Sequence, residues 1–205
     1  MAKLTVTMFS TLDGVVQAPG GPGEDESGGF RHGGWLVPHF DEDMGRFITE
    51  VFDRAAAFLL GRSTYEIFAG HWPRITDPAD PVATALNRLP KYVASKTLRE
   101  VKWNNSHLVR DVVAEVAKLK QTLPGELQVH GSAGLIQTLV REGLVDELNL
   151  LVFPVVLGTG KRLFESGTLP TAFALKENRV TKRGVVIGTY GRAGRPEYGS
   201  FMLDA

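Results

Sequence analysis

One stretch, LQVHGSAGLIQTLVREGLVDELNLLVFPVVLGTGKRLF at residues 127–164, restricts the fold of this 205-residue chain more than any other. Leu127 to His130 has the pattern of a short buried strand, and Gly131-Ser132-Ala133-Gly134 turns directly into a helix with Leu135, Ile136, Leu139 and Val140 on one face. Gly143 ends that helix, and Asp146 to Val156 reads as a second strand, too apolar to lie anywhere except inside a sheet. Small residues at the turn let a ligand approach the backbone, and the open N–H groups and positive dipole end of the helix favour a phosphate. G-S-A-G is not the G-x-G-x-x-G fingerprint, and close packing of strand on helix is the other use of such a turn.

The rest of the chain repeats the pattern. Leu4, Val6 and Met8 alternate with Thr5, Thr7 and Phe9 in a first strand that ends at Ser10-Thr11-Leu12-Asp13-Gly14. From Gly14 to Gly34 eight glycines and two prolines preclude a regular element, and a loop of that length is usually functional or disordered. Glu24, Asp25 and Glu26 at its middle are expected to be solvated. Asp41 is placed to cap a helix whose apolar residues fall at Met44, Phe47, Ile48, Val51, Phe52 and Ala55.

Ala56 to Leu60 is a short strand, and Gly61-Arg62-Ser63-Thr64 opens a helix from Tyr65 to Ala69. A helix to Arg88, a strand from Lys91 to Ala94 ending at Ser95-Lys96, a strand from His107 to Val109, and a helix capped by Asp111 with Val112, Val113, Val116 and Leu119 inward complete the alternation. Strand following helix from Ala56 onward predicts an α/β domain with a largely parallel sheet covered on both faces. Phe173 to Thr181 and Val185 to Tyr190, joined by Arg183-Gly184, instead predict an antiparallel hairpin at one edge. No linker divides the chain, so residues 1–205 are read as one domain. Ligands of such sheets sit at the carboxyl ends of the strands, where the three polar turns fall.

Composition narrows the function classes. The net charge is zero, which gives no whole-chain case for nucleic acid or an acidic membrane surface. Residues 1–50 hold 3 Lys/Arg against 8 Asp/Glu, so cationic partners for an anionic ligand should come from later in the chain. The absence of cysteine excludes disulfides, a thiolate zinc site and a cysteine nucleophile, and is compatible with a cytoplasmic address. The amino end alternates like a strand and not like a signal peptide, and no window approaches the ~18 apolar residues of a membrane span. The five histidines lack ligand spacing, so no metal is expected, and His130 reads as a hydrogen-bonded core residue.

Five segments together resemble the dihydrofolate reductase-like fold, and more closely the reductase domain of bacterial riboflavin biosynthesis with its small single-domain deaminase/reductase relatives. They are STLDG at 10–14, LLGRSTYE at 59–66, YVASK at 92–96, VHGSAGL at 129–135 and PVVLGTGKRLF at 154–164, in the family's order across nearly the whole chain. The resemblance implies NADPH as cofactor. Gly61, Arg62, Ser63 and Thr64 then correspond to a phosphate turn, Ser95 and Lys96 to the strand end that meets the 2′-phosphate, and Gly131, Ser132, Ala133, Gly134 and Leu135 to the pyrophosphate turn. Asp13-Gly14 and the loop through Ala18 correspond to the segment against the nicotinamide.

Hydride transfer needs the nicotinamide C4 held against the acceptor, exclusion of water, and a proton for a C=N or C=O acceptor. The resemblance makes Asp13, Asp41 and Asp43 the candidate catalytic acids, and Trp35, Lys161 and Arg162 the candidate substrate contacts. Folate reductases carry one carboxylate on the helix after the first loop, and the spacing of Asp41-Glu42-Asp43 does not match that pattern cleanly; acids at a helix start also suit its dipole. The riboflavin-pathway reductase acts on a phosphoribosylaminopyrimidine, for whose phosphate Lys161 and Arg162 are candidates. The expected activity is therefore NADPH-dependent reduction of a small heterocyclic substrate by a homodimer, with a folate reductase or a non-catalytic nucleotide-binding relative as alternatives. The fused deaminase of the riboflavin enzymes needs cysteine ligands that this chain lacks.

Overall fold

Strand β1 (Leu4–Thr11) lies near the middle of an eight-stranded sheet in a computed structural model that describes residues 1–202. Residues 203–205 of the expected domain lie outside the described residues. The order along the chain is α1 (Glu42–Asp53), β2 (Ala55–Gly61), α2 (Arg62–His71), α3 (Pro81–Arg88), β3 (Lys91–Ala94), β4 (Ser106–Val109), α4 (Val112–Thr122), β5 (Glu126–His130), α5 (Ala133–Arg141), β6 (Glu147–Phe153), β7 (Ala172–Val180) and β8 (Val186–Gly194).

Strands run β4-β3-β2-β5-β1-β6-β8-β7 across the sheet. All pairs from β4 to β6 are parallel, whereas β8 is antiparallel to β6 and β7 to β8. The expected α/β architecture, largely parallel sheet and antiparallel carboxyl-terminal hairpin are therefore observed. Helices α4 and α5 cover one face with Val116, Leu119, Ile136 and Leu139, and α1 and α3 cover the other with Met44, Phe47, Phe52 and Leu86. β5 enters between β1 and β2, so the turns after β2 and β5 become neighbours although 70 residues separate Gly61 from Gly131.

Three sequence expectations change. Thr5 and Thr7 of β1 are as buried as its apolar residues, because both faces of this strand are covered. Thr7 is paired laterally, since Asn149 donates to its Oγ1 at 3.1 Å and accepts from Thr189 at 3.0 Å, whereas the Thr5 hydroxyl is buried without a partner. β6 stops at Phe153, short of the expected Val156, because Pro154 cannot supply the N–H that a continued ladder needs. Val113, expected to face inward, is exposed, and Val116 and Leu119 supply the packed face of α4.

Candidate functional site

The turns after β2 and β5 are laced together. Gly61 N–H donates to Ser132 Oγ and Ser132 N–H donates to Thr64 Oγ1, each at 2.9 Å. Gly131 and Ser132 both have left-handed backbone, with φ of 60° and 63°. A Cβ on Gly131 would come within 3.1 Å of Thr64 Oγ1, so the close crossing and the positive φ both call for glycine there.

What distinguishes the helices that leave these turns is the absence of caps. Asp41, Asp80 and Asp111 cap α1, α3 and α4 with carboxylate oxygens on their first N–H groups. No side chain caps α2 or α5. Their first N–H groups at Arg62–Thr64 and Ala133–Leu135 stand at one cavity of about 650 Å³, where an anion can satisfy them.

This cavity is lined by Ala18, Gly61, Arg62, Ser63, Thr64, Gly131, Ser132, Ala133, Gly134 and Leu135. Ser95 and Lys96 do not line it. Ser95 Oγ accepts from the N–H groups of Thr97 and Leu98 and so shapes the turn after β3. That turn adjoins the cavity through Arg62, which donates to Thr97 Oγ1 at 2.9 Å and pairs with Glu66 at 2.9 Å. Arg110, which follows β4 and which the motif comparison missed, donates to the carbonyls of Ser95 and Leu98. Its value is visible only after β3 and β4 pair.

An apolar part of the lining comes from Phe40, Met44, Ile48 and Phe52 on the α1 side and Ile67, Phe68 and Trp72 on the α2 side. The candidate acids are absent from it. Asp13 accepts from Thr11 Oγ1 at 2.6 Å, Gly158 N at 2.8 Å and Leu157 N at 3.2 Å, and it pairs with Arg162 at 3.6 Å. These donors, led by the Thr11 hydroxyl, hold its pKa down to about 2. An acid so placed joins the end of β1 to the loop after β6 and does not donate a proton at neutral pH.

Asp41 caps α1 through Met44 N–H and takes the Arg183 N–H at 3.0 Å, while Asp43 pairs with Arg46 and takes the Lys182 N–H at 3.3 Å. Both therefore dock the β7–β8 turn onto α1 and lie away from the cavity, which corrects their assignment as catalytic acids. Trp35 is buried edge-on against Phe153 at 5.2 Å, and its indole donates to Gln17 O at 2.8 Å; it pins the first loop and does not face the cavity. Lys161 does line the cavity, paired with Asp25 at 2.6 Å. Arg162 is turned toward Asp13 and is not a cavity residue.

Glu24 and Asp25, expected to be solvated, line the cavity as well. The cause is Gln17, whose buried amide donates to the carbonyls of Asp25 and Ser27 and accepts from Lys161 N–H, folding the glycine-rich loop back on itself. His130 is the core histidine anticipated and also a lining residue, stacked on Phe52 at 4.6 Å. Among the described residues no group of His, Cys, Asp and Glu is arranged to hold a metal, and no helix is long and apolar enough to cross a membrane.

A family model for the RibD C-terminal domain matches residues 2–187. The uncharacterized protein YyaP of Bacillus subtilis is 29% identical over 187 residues, covering 90% of this chain and 92% of YyaP. Among solved structures, one named as a riboflavin biosynthesis protein from Shewanella sp. PV-4 superposes with a TM-score of 0.70 at 23% identity, covering 94% of this chain and 99% of that one. A deaminase/5-amino-6-(5-phosphoribosylamino)uracil reductase from Thermotoga maritima gives 0.61 at 12% identity over 94% of this chain and 57% of that one. Dihydrofolate reductase from Enterococcus faecalis, complexed with NADP(H), gives 0.59 at 13% identity over 93% and 96%. At such identities the superpositions speak to the fold, which is dihydrofolate reductase-like.

Proposed function

We propose, from the premise that this chain belongs to the RibD C-terminal domain family, that it is an NADPH-dependent reductase of a small heterocyclic substrate. One observation carries the reading: two adjacent helices without caps open into a single cavity, with a glycine wherever their turns cross closely. The first N–H groups of α2 and α5 would hold the diphosphate, and the Ser132 and Thr64 hydroxyls, accepting from Gly61 N–H and Ser132 N–H, keep the two turns in register for it. Arg62 at the rim, with Lys96 beyond it, would meet the 2′-phosphate, since a guanidinium and an ammonium suit a phosphate monoester. When bound, the nicotinamide supplies a hydride at C4.

The apolar walls from α1 and α2 would hold a flat ring and exclude water, and the loop from Ala18 to Asp25 would cover it. Lys161, paired with Asp25 at 2.6 Å, is the lysine on this side, and it would have to exchange that partner for the phosphate of a substrate of the 5-amino-6-(5-phosphoribosylamino)uracil class, one bearing a phosphoribosyl group. A folate substrate is disfavoured because both acids at the start of α1 are engaged by the β7–β8 turn. We further propose that the protein acts in the cytoplasm as a homodimer on a small molecule, without nucleic acid or membrane partners.

The test is calorimetric titration of the wild type, Arg62→Ala and Lys96→Ala with NADPH and with NADH. Both substitutions should weaken NADPH by about tenfold or more, the order of one charge-assisted hydrogen bond, and leave NADH nearly unchanged. Equal losses for both cofactors would remove the 2′-phosphate assignment. No binding of either by the wild type would remove the dinucleotide reading itself.

A further inference from the structure

We infer that Glu24 is the proton donor to the substrate, a role that rests on the reductase reading above. The glycine-rich loop makes a tight turn in which Glu24 N–H donates to Gly21 O at 3.2 Å, and the side chain folds back so that one carboxyl oxygen accepts the Gly20 N–H at 2.6 Å. This places the carboxyl against the cavity with its other oxygen unengaged by that contact.

The neighbouring acid has the opposite environment. Asp25 is matched by Lys161 at 2.6 Å and by the hydroxyl and N–H of Ser27, whereas no cation among the described residues pairs with Glu24. Two adjacent carboxyls are thereby driven apart. Burial pushes both carboxyls up; at Asp25 it is outweighed by Lys161 and Ser27, which bring the pKa below its ordinary value, whereas at Glu24 burial prevails over the Gly20 and Gly21 N–H groups and the pKa is raised. The direction of the split makes Glu24, rather than Asp25, the acid better placed to give up a proton. The charged groups facing Glu24 are Asp25, which favours its protonated form, and His71 at the end of α2, which opposes it when charged. Lys161 across the loop is neutralised by Asp25.

Position agrees with the role. Arg62 begins α2 at the phosphate turn and His71, within electrostatic reach of Glu24, ends it. Ten residues of helix span about 15 Å, so the His71 end of α2, with Phe68 and Trp72 on the cavity wall, is the end away from the phosphate turn, and a flat ring would lie there. In the reaction a hydride with its electron pair adds to the carbon of a C=N or C=O group and the π pair moves to the heteroatom. The Glu24 O–H bond breaks as the new N–H or O–H bond forms. The substrate is reduced, the dihydronicotinamide is oxidised, and the carboxylate regains its proton from solvent.

The test combines Glu24→Gln, which keeps the size and the contact with Gly20 but carries no acidic proton, with two measurements. Single-turnover oxidation of bound NADPH by 5-amino-6-(5-phosphoribosylamino)uracil should slow by about 100-fold, in kcat more than in KM, and lose the fall in rate that the wild type shows as pH rises through the Glu24 pKa. Carbon-13 NMR of carboxyl-labelled glutamate should show one signal, missing in Glu24→Gln, that titrates above the other glutamates. The signal needs no turnover and decides the question if that substrate is inert. An unchanged pH profile in Glu24→Gln, or a Glu24 signal titrating with the other glutamates, overturns the inference while leaving NADPH binding intact. Failure of the wild type to bind NADPH overturns it together with the reductase reading.

Discussion

Acidification should destabilise this protein through His130, and the geometry gives the size. The His130 ring packs 4.6 Å from Phe52 and 5.8 Å from Phe58, and its Nε2 lies 3.1 Å from Gln128 Oε1. Gln128 Nε2 donates to Val51 O at 2.6 Å and to Glu126 Oε2 at 3.0 Å, so its Oε1 must be the acceptor. His130 therefore donates through Nε2. Burial among these rings lowers its pKa from 6.5 to about 4. Because the folded value is the depressed one, the unfolded chain takes the proton first. Stability from this group is complete above about pH 6.5, falls as pH drops, and is lost by about pH 4, a total of about 3 kcal/mol.

The perturbation is His130→Gln, which retains a donor for Gln128 and removes the titration. Urea unfolding of both proteins at about pH 7.5 and about pH 4.5 measures the effect. Asp13, Asp25 and Glu147, all held below their ordinary pKa, and Glu24, held above it, titrate in both proteins and cancel in the comparison. The wild type should lose about 3 kcal/mol more than the variant between the two conditions. Parallel losses would refute the argument that burial keeps this ring neutral.

Gly131→Ala should cost about 1–2 kcal/mol by urea unfolding, since it forces a Cβ into positive φ and against Thr64, and calorimetry should show weaker NADPH binding as Ser132 N–H is displaced. Asp13→Ala should destabilise the fold by about 1–3 kcal/mol, because the N–H groups of Leu157 and Gly158 lose their acceptor. NADPH affinity should change little in that variant, and a large loss on titration would return Asp13 to the cofactor site.

The parts of this molecule that were legible are those set by neighbouring residues. The three-and-four spacing from Met44 to Phe52 and the cap at Asp41 describe α1 correctly because both act within a few turns. The glycine-led turns at Gly61 and Gly131 were visible for the same reason. The acids were misread because a carboxylate's role depends on what the fold brings to it. Asp41 meets Arg183, 142 residues away, and Asp13 meets Gly158, 145 residues away. Capping and catalysis draw on the same property, a local anion near N–H groups, so composition at a helix start does not separate them. Glu24 was hidden differently: its burial follows from Gln17, an uncharged residue whose amide closes the loop.

Strand order explains why the turns at Gly61 and Gly131 were readable and the contacts of the first loop were not. Pairing β5 beside β2 sets two helix N-termini together, and the anion site they make uses backbone N–H groups that depend on turn geometry more than on side-chain identity. Pairing β6 on the other flank of β1 brings residues 157–162 to Asp13 and Gln17, and there the backbone bridge at Val15 and Arg162 is supplemented by contacts of particular loop side chains. The first half can stay constant while the second changes with the substrate. A dihydrofolate reductase complexed with NADP(H) and a riboflavin-type reductase share this fold at 13% and 12% identity to the chain. Here Asp41 and Asp43 at the start of α1 are held by the β7–β8 turn, and the acids that line the cavity, Glu24 and Asp25, come from the first loop.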